Sequence, residues 1–193
     1  MEEIELAAEN ALAGVPEYIW NGRSLPVPIE QIASSHFCLL VKEVEDMAAA
    51  PGCPPLGDGQ SLSGLLLASR RQIWVNADEA RRWAGRRRFT IGHELGHWVL
   101  HRQGQQSLFC RHGSVEAPEA AVAAKPPGPA KAPTTKPPLP ITEEEANVFA
   151  AALLMPAELV RFHYKRTTRE FNELCEMFGA SGAAMGRRLR AVI

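Results

Sequence analysis

Apolar residues fall at helical spacing in the opening segment, at Ile4, Leu6, Ala8 and Leu12, and Gly14 and Pro16 close it. The pattern predicts an amphipathic helix over residues 2–13. Leu25-Pro26-Val27-Pro28 reads as an extended lead-in, and Pro28 can open a short helix over 29–34. Strand formers then dominate 37–44, 62–69 and 72–76. Pro51-Gly52-Cys53-Pro54-Pro55 and Gly57-Asp58-Gly59 are loop chemistry between the first two runs, and Arg70-Arg71 is short enough for a tight hairpin between the last two. A small, mainly antiparallel sheet is therefore expected ahead of the helical part.

Residues 78–83 read as a short helix, and Arg86-Arg87-Arg88 as a solvated turn feeding the next one, with Thr90 as its N-cap. That helix runs through Ile91, Leu95, Trp98 and Leu100, apolar enough to be substantially buried. After 140 a further helix begins, Thr142 with Glu145 three residues on having the form of a capping box. Phe149, Leu153 and Met155 are assigned to the core. Two short helices, 169–178 and 181–192, close the chain around Gly179 and Ser181. They form a hairpin over 169–193 whose outer face would carry Arg187, Arg188 and Arg190.

Residues 115–140 differ in kind. They hold eight prolines and three lysines among many alanines, with almost nothing to build a core. Such composition is expected to stay extended or disordered. The segment is read as a flexible insertion within one domain spanning 1–193, because the chemistry below needs residues from both sides of it.

Composition narrows the function classes. Hydrophobic content of 46% and charged content of 22% are those of a globular chain. A formal net charge of −1 argues against direct nucleic-acid binding. The longest apolar run, 148–157, is too short for a bilayer. The acidic start, Met-Glu-Glu-Ile-Glu, lacks the features of a signal peptide. Cys38, Cys53, Cys110 and Cys175 are scattered without a C-x-x-C pair, so the expectation is reduced thiols in a cytoplasmic protein.

The chemistry concentrates at His93-Glu94-Leu95-Gly96-His97. On a helix, i and i+4 lie one turn apart on one face, so His93 and His97 can hold one metal ion. Glu94 is placed to act as a base toward a water there. This is the H-E-x-x-H arrangement of zinc metallopeptidases, and two imidazoles with a third protein ligand and an open position suit catalytic Zn²⁺. Two histidines and a glutamate on a buried helix would be costly unless paired or metal-bound. Gly96, a poor helix former, implies that something packs close beside His97.

The third ligand is sought in Glu143-Glu144-Glu145. Glu144 and Glu145 have structural explanations in the first helical turn. Glu143 has Asn147 four residues later on its own face, a polar side chain suited to orienting a ligating histidine. Glu143 is the assigned ligand, with Glu144 or Glu145 as fallbacks.

The run from Arg88 to His101, together with Glu143-x-Glu145-Ala146-Asn147-x-Phe149-Ala150-Ala151-x-Leu153-Leu154-Met155-Pro156, resembles the ImmA/IrrE family of zinc metallopeptidases. Ile73-Trp74-Val75-Asn76 and the closing Phe178-Gly179-Ala180-Ser181 segment match in type, so the resemblance covers about residues 25–193. The chain departs from the family pattern in its Pro/Ala-rich insertion and in Gly92, where alanine is usual. The resemblance implies regulatory proteolysis of a helix-turn-helix repressor, with roles in stress response or mobile-element transfer.

The expected fold class is α+β: a small antiparallel sheet packed on a zincin-type metal-binding helix, followed by a mainly helical part. The expected activity is a zinc endopeptidase with His93, His97 and Glu143 as ligands and Glu94 as general base. His101, His112, His163 and Tyr164 are candidate donors to the oxyanion. Two other classes stand beside it, a non-proteolytic metal-containing sensor or scaffold and a DNA-binding regulator. Glu94 favours the enzyme, since a structural zinc needs no base beside it.

Overall fold

The computed structural model describes residues 2–49, 61–101, 109–113, 141–166 and 171–193. The expected insertion at 115–140 and Cys53 lie outside these residues. Helix α1 (Glu2–Ala13) buries Ala8 and Leu12, as the apolar spacing predicts. Helix α2 (Ile29–Gln31) passes directly into a π-helical turn over Ile32–His36, so the expected helix is present in two geometries. Strands β1 (Leu40–Val44), β2 (Ser61–Leu67), β3 (Gln72–Asn76) and β4 (Phe109–Gly113) form one sheet in the order β1-β3-β2-β4. β2 runs antiparallel to both β3 and β4, while β1 joins β3 in parallel. β2 and β3 are the expected hairpin, closed by Arg71 in the left-handed region at φ 52°.

Helix α3 (Ala77–Arg82) leaves β3 at once, with Asn76 as N-cap accepting from Glu79 N. The long helix α4 (Ala84–Leu100) begins six residues before Thr90. Thr90 is therefore a buried interior residue and not a cap, and the arginine run is helical and not a solvated turn. The reason lies in its partners. Arg86 bonds Glu79 of α3 at 2.6 Å and Ser63 of β2 at 3.0 Å. Arg87 donates to Glu43 of β1 and Glu30 of α2, both at 2.8 Å, and Arg88 donates to the Val27 carbonyl. Arginine is also a good helix former. The three side chains act as struts from α4 to its neighbours.

The remaining elements are α5 (Ile141–Leu154), α6 (Ala157–Arg166), α7 (Phe171–Phe178) and α8 (Gly182–Val192), the last capped by Ser181 Oγ. One core joins Leu66, Ile73 and Val75 of the sheet to Ile91 and Leu95 of α4, Phe149 and Leu153 of α5, and Phe178 and Met185 beyond. Met47, Leu62, Leu65 and Leu67 form a second cluster. Strict alternation would put Leu62 with Leu66, but a bulge between Leu62 and Leu65 turns it to the Leu65 side. Arg188 is not on an outer basic face. It is buried, donating to the Met155 carbonyl and to both carboxylate oxygens of Glu5. Arg187 and Arg190 are exposed. No helix among the described residues is long and apolar enough to cross a membrane.

Candidate metal centre

Helix α4 sets His93 and His97 one turn apart with both side chains buried. Their rings meet edge-on, and the two Nε2 atoms lie 3.1 Å apart. Glu143, from the first turn of α5, closes the triangle: its Oε2 is 3.3 Å from His93 Nε2 and its Oε1 3.1 Å from His97 Nε2. Ligands at about 2.0–2.1 Å from a tetrahedral ion stand roughly 3.3 Å from one another. The observed edges of 3.1–3.3 Å fit a small divalent cation at the common centre. Among the described residues these three are grouped as a metal site requires.

The surroundings aim the imidazoles. Asn147 Oδ1, one turn beyond Glu143 on α5, is 3.1 Å from His93 Nδ1. With that oxygen accepting, His93 carries its proton on Nδ1 and turns the Nε2 lone pair to the centre. Glu143 responds to both rings. Burial alone would raise its pKa, but in the metal-free protein hydrogen bonds and charge from protonated His93 and His97 outweigh it and bring the carboxyl down from 4.5 to about 2.

What lets α5 come so close is Gly96. A Cβ there would stand 3.1 Å from Ala146 Cα and 3.2 Å from its carbonyl oxygen. The close packing expected at this glycine is present, and its partner is the backbone one turn from Glu143. Glu94 is fully buried and lies toward β2. A Cβ on Gly64 would overlap Thr90 Cγ2 and come within 2.8 Å of Glu94 Oε1. Gly64 thus makes the space for that carboxylate, a role the sequence reading missed. The available signal was a glycine inside an apolar strand, which marks close approach of another group.

The other candidates separate. Glu144 is exposed. Glu145 turns to His101, its Oε2 2.8 Å from His101 Nε2, and Thr142 lies inside α5, so the expected capping box gives way to a hydrogen-bond partner at the C-cap of α4. His163, on α6, packs edge-on against Phe162 and Phe178, and Tyr164 is about half exposed on the same helix. His112 and Cys110 lie on β4, whose side chains are outside the described residues.

A buried helix bearing His93, Glu94 and His97, backed by a sheet and closed by a glutamate from a second helix, defines the metallopeptidase class of site. Residues 55–190 match the sequence profile of Peptidase M78, the IrrE N-terminal-like domain, and the chain belongs to this ImmA/IrrE family of peptidases. No curated protein matches it.

Proposed function

We propose that this chain is a zinc-dependent endopeptidase in which His93, His97 and Glu143 hold the ion and Glu94 is the general base. The observation that carries the reading is the convergence of two buried Nε2 atoms and one carboxylate at mutual distances of 3.1–3.3 Å. Zinc bound there supplies Lewis acidity that brings the pKa of a water down toward about 7. Glu94 would be the group that takes a proton from an attacking water and delivers it to the leaving amine. Asn147 holds the His93 ring in register, and Gly64 leaves room for the Glu94 carboxylate. The substrate we propose is a helix-turn-helix transcriptional repressor, cleaved in the cytoplasm to release genes under its control. Family membership over 55–190 supports that choice.

The test measures zinc per chain and cleavage of a helix-turn-helix repressor encoded by a neighbouring gene. Wild type and Glu94→Gln should each carry about one zinc, Glu143→Ala should lose it, and only wild type should cut. A folded wild type that takes up no zinc removes the peptidase reading. Bound zinc without a requirement for Glu94 points instead to a metal-containing scaffold.

A further inference from the structure

Behind His97, away from the three converging atoms, a second pair of side chains is aligned. His101 caps the C-terminus of α4, four positions after His97, with its N–H donating to the His97 carbonyl. Its Nδ1 lies 3.2 Å from His97 Nδ1, and its Nε2 lies 2.8 Å from Glu145 Oε2. The three groups form one chain of hydrogen bonds from α5 back to α4. Its polarity is fixed from the outer end, because an ionised carboxylate can only accept. His101 Nε2–H therefore donates to Glu145, and in the neutral imidazole this leaves His101 Nδ1 with a lone pair. That lone pair accepts from His97 Nδ1–H. His97 must then present a bare Nε2 toward His93 Nε2 and Glu143.

We infer that His101 and Glu145 are a positioning pair that fixes the tautomer and ring angle of His97 for metal binding. This inference rests on the zinc reading above. At His97 Nδ1 the second imidazole takes the place that the Asn147 amide takes at His93, and it passes the constraint to a carboxylate. A single helix turn of α5 serves the centre twice, Glu143 facing both Nε2 atoms and Glu145 acting through His101. A ring whose two nitrogens are both engaged has no N–H left for a reacting carbonyl, so His101 supports the ligand and does not touch substrate. His101 is largely buried while Glu145 is about a third exposed, which orders the two in importance.

The experiment titrates Zn²⁺ alone against a chelator in wild type, His101→Ala, His101→Gln, Glu145→Ala and the alanine double variant. Removing an outer partner of a ligating histidine typically weakens metal affinity 10–100-fold. His101→Ala should fall in that range, with Glu145→Ala affected less. His101→Gln, whose amide oxygen can accept from His97 Nδ1–H, should recover most of the loss. Because Glu145 acts only through His101, the double variant should be no weaker than His101→Ala. Urea midpoints of the metal-free proteins report folding separately. Wild-type zinc affinity in His101→Ala, additive losses in the double variant, or a loss that His101→Gln does not restore would each overturn the pair while leaving the zinc reading intact. A wild type that binds no zinc overturns both.

Discussion

Gly96 faces the backbone of Ala146 with no room for a side chain: a Cβ on Gly96 would meet Ala146 Cα at 3.1 Å and Phe149 Cδ1 at 3.2 Å. Ala146 lies three residues after Glu143, on the same face of α5, so this contact sets how far the carboxylate stands from the histidines. Gly96→Ala removes a poor helix former, worth about 1 kcal/mol, but overpacks a contact that includes backbone, at about 1–3 kcal/mol. The expected outcome is a net loss of stability together with weaker zinc retention. Gly92→Ala is the control. Its added Cβ would meet Ala150 Cβ at 3.4 Å, an ordinary contact, so the helix gain remains and stability should hold or rise by up to about 1 kcal/mol. Urea midpoints and zinc per chain after dialysis check both. Equal behaviour of the two variants would mean that the α4–α5 approach does not set the site.

Gly64 guards the other side of the motif. The Cβ of an alanine there would overlap Thr90 Cγ2 and crowd Glu94 Oε1 at 2.8 Å. The atoms nearest the added Cβ belong to Thr90 and Glu94 and not to His93, His97 or Glu143, so zinc content should stay near that of wild type. Glu94 must move, and hydrolysis should fall at least about tenfold, equivalent to about 1.4 kcal/mol in the barrier. Turnover measured beside metal content separates the effects. Full activity in Gly64→Ala would show that Glu94 tolerates displacement or does not act as the base.

Much of this site was readable in the chain because its logic is local. His93, Glu94 and His97 are related by helix periodicity alone, and Asn147 follows Glu143 by one turn, so spacing was enough to place them on shared faces. The α+β class and the β2–β3 hairpin followed from apolar runs with a short polar break. What escaped notice depends on contacts between distant segments. The start of α4 was misplaced because Arg86, Arg87 and Arg88 look like a solvated turn until Glu79, Glu43 and Glu30 come beside them. Glu145 looked like a capping residue because its real partner, His101, is 44 positions away. Strand β4, Phe-Cys-Arg-His-Gly, has no alternating pattern of its own and takes its place by pairing with β2. Helix α6 was missed for want of a helix-starting signal beyond Pro156.

The depressed pKa of Glu143 carries a consequence for the metal-free protein. Its carboxyl falls from 4.5 in the unfolded chain to about 2 in the fold, where hydrogen bonds and charge from the two imidazoles override burial. A group depressed in this way stabilises the fold fully above the unfolded value and loses that contribution as pH drops through the folded one. Metal-free Glu143→Gln should therefore be less stable than wild type at pH 5. The gap should narrow as the pH is lowered from about 4.5 toward 2. Urea midpoints of both proteins across that range provide the check. A gap that is constant with pH would mean that the Glu143 charge does not contribute.

Arg188 offers a test remote from the chemistry. Its Nη2 donates to Glu5 Oε2 at 2.9 Å and its Nε to the Met155 carbonyl at 2.8 Å, so one buried side chain joins α8 to α1 and to the end of α5. Breaking a buried pair by deleting one partner typically costs about 3–5 kcal/mol, because the other charge is left stranded. Glu5 retains some solvent exposure, with a side chain 28% accessible, and can be partly rehydrated. Arg188→Ala should therefore fall at the lower end of that range. Glu5→Ala strands the more deeply buried partner, but Arg188 keeps its bond to Met155, which limits the damage. A double-mutant cycle read by urea denaturation should show the two losses to be less than additive. Additive losses would mean that the pair is not coupled. Zinc per folded chain should be unchanged in every variant, since the pair anchors the far end of α5 from Glu143. A fall in zinc with the fold intact would instead show that this anchor reaches the metal centre.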